Sequence, residues 1–215
     1  MKQLLTKEIR LVTHPTNYIF WLLSALLLIP NYPYYVTFFY TAMGIFFMCL
    51  NARENHDIEY TLLLPIQKAQ VVRARVMFIL LIEIIQFLLA VPFAILRAGI
   101  TPAQNEVGMD ANLSFFGLSL IMMGLFNYLF ITIYYRDPAK VGKAFIISSS
   151  AIFLYICIAE ALTHALPFFR DQLDTPDPQY LTVKLILLAV GVLVFFFSTF
   201  AAERRAEKSF VTLDL

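Results

Sequence analysis

Charge is scarce in this sequence. Asp, Glu, Lys and Arg make up 14% of the 215 residues and apolar residues 60%, against about 25% and about 45 to 50% in soluble domains. That excludes an ordinary water-facing surface and implies a lipid-embedded chain. Basic excess is also missing: 16 Lys and Arg face 15 Asp and Glu, too even a balance to hold a nucleic-acid backbone. The two cysteines, Cys49 and Cys157, sit inside apolar runs, where a free thiol packs as a small hydrophobe. They suggest neither a disulfide framework nor a metal knuckle. Glycine is sparse, and no glycine-rich loop ends in Gly-Lys-Ser/Thr. Gly142-Lys143 is followed by Ala144, so the phosphate-cradling amides of a nucleotide site are absent. Any dependence on ATP must come from a separate subunit. The histidines, His14, His56 and His164, lie near or outside the expected membrane boundaries. Glu160 and His164 are four apart and share a helix face, which suits either a polar contact or one edge of a divalent-metal site.

What the chain has in abundance is long apolar runs. A bilayer core about 30 Å thick asks for about 20 apolar residues per helix, and six runs qualify: Asn17 to Ile29, Tyr35 to Leu50, Val76 to Leu96, Leu113 to Tyr134, Ala144 to Leu166, and Leu181 to Ala202. The first is short and ends at Pro30-Asn31-Tyr32-Pro33. There the prolines break the helix, and Tyr32, Tyr34 and Tyr35 offer an interfacial belt. Basic residues stay on the cytoplasmic side of short loops. With both termini inside, only Arg97, Arg170 and Lys184 of the 16 fall outside. The expectation is an all-α polytopic membrane protein, a single transmembrane domain over 1–215 with both ends cytoplasmic. Residues 1–14 read as an amphipathic helix in the headgroup plane, with Met1, Leu4, Leu5, Ile9 and Val12 at helical spacing. It serves as an anchor or also touches a partner. Nothing in this segment resembles a cleaved signal peptide.

Inside the spans, Glu83 is the conspicuous acid, about 10 Å along the third run from its inner end. An ionisable group at that depth is costly unless paired or facing water. Gln86 lies one turn on and Asn127 at similar depth, so Glu83 belongs either to a hydrogen-bonded structural cluster or dimer contact, or to a translocation path. Ser148, Ser149 and Ser150 read as small residues for close helix packing. Phe195-Phe196-Phe197 reads as lipid-facing. Phe46, Phe47, Met48, Met122, Met123, Phe126 and Phe130 could wall a path for amphipathic cargo, or simply pack.

The inner segment Asn51 to Arg75 is too charged to be buried and too apolar to be a mere connector. Pro65 suits the first turn of a helix, which would present Ile66, Val71 and Val72 beside Lys68 and Arg73, with Leu62, Leu63 and Leu64 just before it. The acidic set Glu54, Asp57 and Glu59 would be repelled by an anionic leaflet, so the segment reads as a docking element. Here the sequence resembles the permease subunits of type-2 ABC transporters. Glu59, Leu62, Leu64, Pro65, Ile66, Lys68, Val71, Val72 and Arg75 fill the pattern of their coupling helix, and Gln67 stands where Ser or Thr is commoner.

The resemblance extends to the N-terminal elbow helix, the span count and the short inner turn Tyr135-Arg136-Asp137-Pro138. Small size and short outer loops look most like the compact permeases of bacterial peptide exporters, such as those exporting phenol-soluble modulins. The resemblance implies a non-catalytic half-transporter, paired with a second copy or a sister permease. Cytosolic ATPases that carry ATP and Mg would dock on the coupling helices, and an amphipathic or antimicrobial peptide would be the cargo. The chain itself would hold no cofactor or metal. The rival readings are a membrane anchor for a soluble partner and an intramembrane hydrolase.

Overall fold

The computed structural model describes residues 2–100 and 105–213. The described residues form helices and connecting turns, with no strand among them. Their order is α1 (Lys2–Lys7, continued by a wider turn over Glu8–Val12), α2 (Pro15–Leu22, tightened into a 3-10 stretch over Leu23–Leu28), α3 (Tyr35–Glu54) and α4 (Asp57–Leu62). Then follow α5 (Lys68–Ile100), α6 (Leu113–Tyr134), α7 (Val141–Ala165) and α8 (Leu181–Val211). Five of these helices are long and apolar enough to cross a membrane, and the bent pair Lys2–Val12 with Pro15–Leu28 brings the number to as many as six.

The short first run explains itself in the geometry of α2. Eight α-helical residues followed by six in 3-10 form span about 24 Å, because 3-10 winding rises about 2.0 Å per residue and α winding about 1.5 Å. The tighter coil thus stretches few residues toward the thickness of the bilayer. The helix starts where expected of Pro at its first turn: His14 caps it, its ring Nδ1 accepting the Thr16 N–H at 3.3 Å. The chain bends by 82° between Lys2–Val12 and Pro15–Leu28, so α1 lies nearly square to the helix that follows, as an elbow in the headgroup plane requires. Leu4 and Val12 are buried, while Ile9 and Leu11 are exposed. Met1 lies outside the described residues.

The fourth run matches α6 end to end because both boundaries are marked. Asn112 caps the start, its Oδ1 accepting the Phe115 N–H at 3.0 Å, and Arg136-Asp137-Pro138 stops the end. Other helices overrun their apolar cores. At 33 and 31 residues, α5 and α8 are about 50 and 46 Å long, well beyond a core of about 30 Å. Their surplus turns project together at one end, where Arg73 pairs with Glu207 and Lys68 Nζ donates to the Leu213 carbonyl. Lys7 pairs with Asp57 at 2.8 Å and Arg53 Nη1 donates to the Ala139 carbonyl at 3.2 Å at the same end. The segments richest in Lys and Arg therefore gather on one side of the bundle, hereafter the basic end.

The tightest seam of the bundle lies between α6 and α8. A Cβ on Gly191 would sit 2.3 Å from the Gly117 carbonyl oxygen, so the two backbones touch where neither residue has a side chain. Such small-residue seams stand in for the hydrophobic effect, which lipid does not provide between membrane helices. Sequence reading missed this pair, although few glycines fall in spans.

Two expectations need correcting. Tyr34 and Tyr35 are not an interfacial belt: both are fully buried. The Tyr34 hydroxyl donates to the Ile29 carbonyl at 2.9 Å and accepts from Arg97 Nε at 3.0 Å, and the Tyr35 hydroxyl reaches Met109 Sδ at 3.9 Å. Phe195 faces inward at 1% exposure while Phe196 and Phe197 face outward, because consecutive residues on a helix point about 100° apart. Met48, Met122, Met123, Phe126 and Phe130 are buried in the helix packing and line no path within one chain. Ser148 behaves as expected, donating back to the Ala144 carbonyl at 2.8 Å.

Candidate docking site and buried polar clusters

Between α3 and α5 the chain does not form the helix expected to start at Pro65. The helical turn here is α4, Asp57–Leu62, and it ends before the proline. Leu64 precedes Pro65 and is disfavoured from helical backbone by the proline ring. Short turn bonds follow instead: Leu63 N–H to Tyr60 at 3.3 Å, Leu64 N–H to Thr61 at 3.2 Å, and Ile66 N–H to Leu64 at 2.7 Å. Helix resumes at Lys68 as the start of α5. Val71 and Val72 consequently point into the core and are 1% and 0% exposed, so they are not part of a docking face. Lys68 lies at the base of the loop, its Nζ donating to the Leu213 carbonyl.

What stands out from the loop is its tip. Tyr60 and Leu63 are 68% and 81% exposed, with Leu64 beside them at 54%, and Pro65 is also exposed while Leu62 and Ile66 are half-buried. These apolar groups are exposed at the basic end, on the loop between α3 and α5 rather than in the middle of a span. Glu54 and Glu59 flank them on the surface, Glu54 paired with Arg53 and Glu59 accepting from His56 Nδ1 at 2.7 Å. Tyr60 and Leu63 were missed as site residues; the signal for them is the unbroken Leu62-Leu63-Leu64 run set against a proline.

Asp57 has a different task from the one expected. It faces inward and joins a buried ionic knot: Lys7 Nζ reaches it at 2.8 Å and Arg75 Nη2 at 2.6 Å. Glu8 closes the knot, paired with Arg75 and with Lys7 at 2.9 Å, and Lys7 Nζ also reaches Thr61 Oγ1 at 3.1 Å. Arg75 and Glu8 are each 1% exposed. Two cations and two carboxylates thus join α1, α4 and α5 in one unit, a role for Lys7 and Glu8 that helical spacing could not reveal.

The expected Glu83, Gln86 and Asn127 group divides in two. Asn127 Nδ2 donates to Glu83 Oε2 at 2.9 Å and to Thr199 Oγ1 at 3.0 Å, which ties α5, α6 and α8 together. Gln86 turns the other way, its Nε2 donating to Ser24 Oγ at 2.9 Å on α2. All of these side chains are essentially fully buried, so the geometry is that of a structural cluster inside one chain. Thr199 and Ser24 are the partners that sequence reading did not supply.

At the opposite end of the bundle, carboxylates hold backbone amides. Glu160 Oε2 accepts the Met109 N–H at 2.9 Å and Asp174 Oδ1 the Asp110 N–H at 2.7 Å. Asp177 accepts from Leu113 N–H at 3.2 Å and from Lys184 Nζ at 2.9 Å. Burial pushes the Asp174 acid up to about 7, with Asp110 and Glu160 adding to the rise while the Asp110 amide and Lys184 oppose it. Glu160 is engaged with a loop amide and His164 is exposed. No group of three or more metal-ligating side chains occurs among the described residues, so the divalent-metal alternative finds no donor set there.

An all-helical bundle of apolar spans with an elbow helix and a protruding loop at its basic end is a multi-pass membrane protein. The profile of the ABC-2 family transporter proteins matches residues 3–204, nearly the whole length, and the chain belongs to that family. It is accordingly a membrane-spanning transporter subunit, of a kind that works with an ABC ATPase. Neither a curated protein nor a solved structure of significant similarity was found.

Proposed function

We propose that the chain is the permease half of an ATP-driven exporter in a bacterial plasma membrane, with both termini and the α4 loop in the cytoplasm. In this reading two permeases, identical or sister chains, enclose the path. Two ATPases dock on the α4 loops, supplying the ATP and Mg chemistry that this chain does not. The observation that carries it is the water-facing tip Tyr60, Leu63 and Leu64 on an element fastened by buried charges to α1 and α5. A surface patch of that kind is an interaction site by default. The gathering of Lys and Arg at the same end supports a cytoplasmic location.

Mechanistically, the ATPase pushes on α4 when it closes on ATP. Because Asp57 is held by Lys7 and Arg75, α4 does not slide alone; α1 and the start of α5 move with it. The α5 helix, continuous from Lys68 to Ile100 though it lacks an N–H at Pro92, carries that displacement into the membrane. Amphipathic peptides are the cargo class favoured by the resemblance to compact peptide exporters, since a two-fold pair can line a path that one bundle leaves closed.

The test is copurification of the tagged chain, expressed with its neighbouring genes, in mild detergent, followed by an ATPase assay. A Leu63→Asp, Leu64→Asp double substitution is expected to release the ATPase while leaving membrane insertion intact, because both residues lie outside the packed core. Glu59→Ala with Pro65→Gly is expected to uncouple hydrolysis from peptide export. An ATPase that stays bound to the doubly acidic tip overturns the docking assignment. No copurifying ATPase in any preparation shifts the reading to a membrane anchor.

A further inference from the structure

A cavity of about 650 Å³ opens between α5, α6 and α8 toward the end opposite the docking loop, inside the range of about 300 to 1,000 Å³ typical of small-ligand sites. Its lining changes character along its length. Ile84 and Leu88 on α5, Leu120 on α6 and Phe196 on α8 form a hydrocarbon wall at the depth of the bilayer. Arg97, Asp110, Asn112 and Asp177 line the outer end. From Ile84 to Arg97 the slot follows α5 for about 20 Å, longer than the roughly 15 Å depth of one leaflet. Polarity is therefore graded in the same sense as a lipid standing in the outer leaflet, with its head at the loops and its tail toward the midplane.

We propose that this cavity is a binding site for a phospholipid with a zwitterionic phosphoethanolamine head, one acyl chain lying in the slot along α5. The outer end presents charge of both signs in balance, which suits a head that carries both signs. Asn112 is occupied structurally, its Nδ2 donating to the Leu173 and Thr175 carbonyls at 2.7 and 3.1 Å, and Asp177 is paired with Lys184. Asp110 differs: its carboxylate accepts a backbone amide, Asn105 N–H at 3.0 Å, and has acceptor capacity left for the three N–H donors of a primary ammonium. Burial raises the Asp110 acid above its ordinary range, a tendency that an ammonium beside it reverses. The phosphate then lies on the Arg97 side. The site rests on the membrane-spanning fold, and its assignment to the outer leaflet rests on the cytoplasmic placement of the α4 loop proposed above.

Native mass spectrometry of the purified full chain in mild detergent tests it, with phosphatidylethanolamine and phosphatidylglycerol of identical acyl chains as probes. The wild type is expected to retain phosphatidylethanolamine about tenfold more strongly, a difference of about 1.4 kcal/mol. Leu88→Trp fills the slot from its open side, since Leu88 is 66% exposed, and is expected to abolish retention of both lipids. Asp110→Asn keeps an acceptor for the Asn105 amide and is expected to erase the head preference while the acyl chain still binds. Equal retention of the two lipids by the wild type overturns the head assignment. Unchanged retention in Leu88→Trp overturns the site and marks the lipid as part of the general shell. A change of oligomeric state in Leu88→Trp without loss of lipid shows that a second chain covers the cavity instead.

Discussion

The two ends of this bundle fasten their loops by different chemistry. At the basic end, side chains pair with side chains across elements far apart in sequence: Glu8 with Arg75, and Lys7 and Arg75 with Asp57. At the other end, carboxylates accept amides of the loop that leads into α6: Glu160 from Met109 and Asp174 from Asp110. An ionic knot joins separate helices so that they move as one body, whereas a carboxylate on a backbone amide holds a loop in one shape. The first arrangement suits the push proposed for the α4 loop, and the second keeps the loop before α6 in place.

Breaking the knot gives the largest expected effect. Arg75→Met leaves the two carboxylates Glu8 and Asp57 to the single cation Lys7, and leaving a buried charge uncompensated costs about 3 to 5 kcal/mol. The purified variant is expected to melt well below the wild type and to lose protection of α1 in hydrogen exchange. Adding Glu8→Gln is expected to restore much of the melting temperature, because Lys7 then balances Asp57 and no uncompensated charge remains. It is not expected to restore transport, because α4 is no longer tied to α5. Full transport in the double variant breaks the claim that the knot transmits motion.

The α6–α8 seam ranks next. Gly191→Ala places a methyl group against the Gly117 carbonyl, and forcing helices apart by overpacking costs about 1 to 3 kcal/mol. A melting temperature equal to that of the wild type would show that α8 can shift without loss.

The end opposite the α4 loop responds to pH through Asp174. Asp174 has its acid raised from 3.8 to about 7, so the folded chain binds its proton more tightly than the unfolded chain does. Stability is therefore greatest below the unfolded value, falls as pH rises toward 7, and is level above it. Thermal melting at pH 5 and pH 8 is expected to show the higher value at pH 5, and Asp174→Asn is expected to shrink that difference. An unchanged pH slope in Asp174→Asn transfers the effect to Asp110 or Glu160, the acids that face it.

Much of this fold was legible in the sequence because hydropathy and the basic residues are one-dimensional signals. The α6 boundaries came out whole, since Asn112 and Pro138 punctuate them. Helix α5 starts eight residues before its apolar core because Lys, Gln and Arg are good helix formers and nothing before Val76 stops the coil. The loop between α3 and α5 was legible in position but not in form: residue types marked 51–75, yet the helical stretch ends before the proline, where a helix start was expected. Pairing was the least legible property. Glu8 on a basic elbow helix and Asp57 in an acidic run look like solvated charges until the 82° bend brings α1 against α4 and α5. The same limit separates Gln86 from Glu83, which share a helix but face different neighbours.

The smallest effect is expected at Glu83, and it sharpens the contrast between ionic and neutral fastening. Its partner is the Asn127 amide rather than a cation, and Glu83→Gln retains an oxygen to accept that N–H. Interhelical hydrogen bonds within membranes average about 0.6 kcal/mol, so the variant is expected to melt within a few degrees of the wild type, whereas Arg75→Met does not. Transport then separates the two roles open to this acid. Export at the wild-type rate in Glu83→Gln assigns it to the α5–α6–α8 seam alone. Impaired export from a chain that still melts normally means that the carboxyl, and not merely its oxygen, takes part in the change of state.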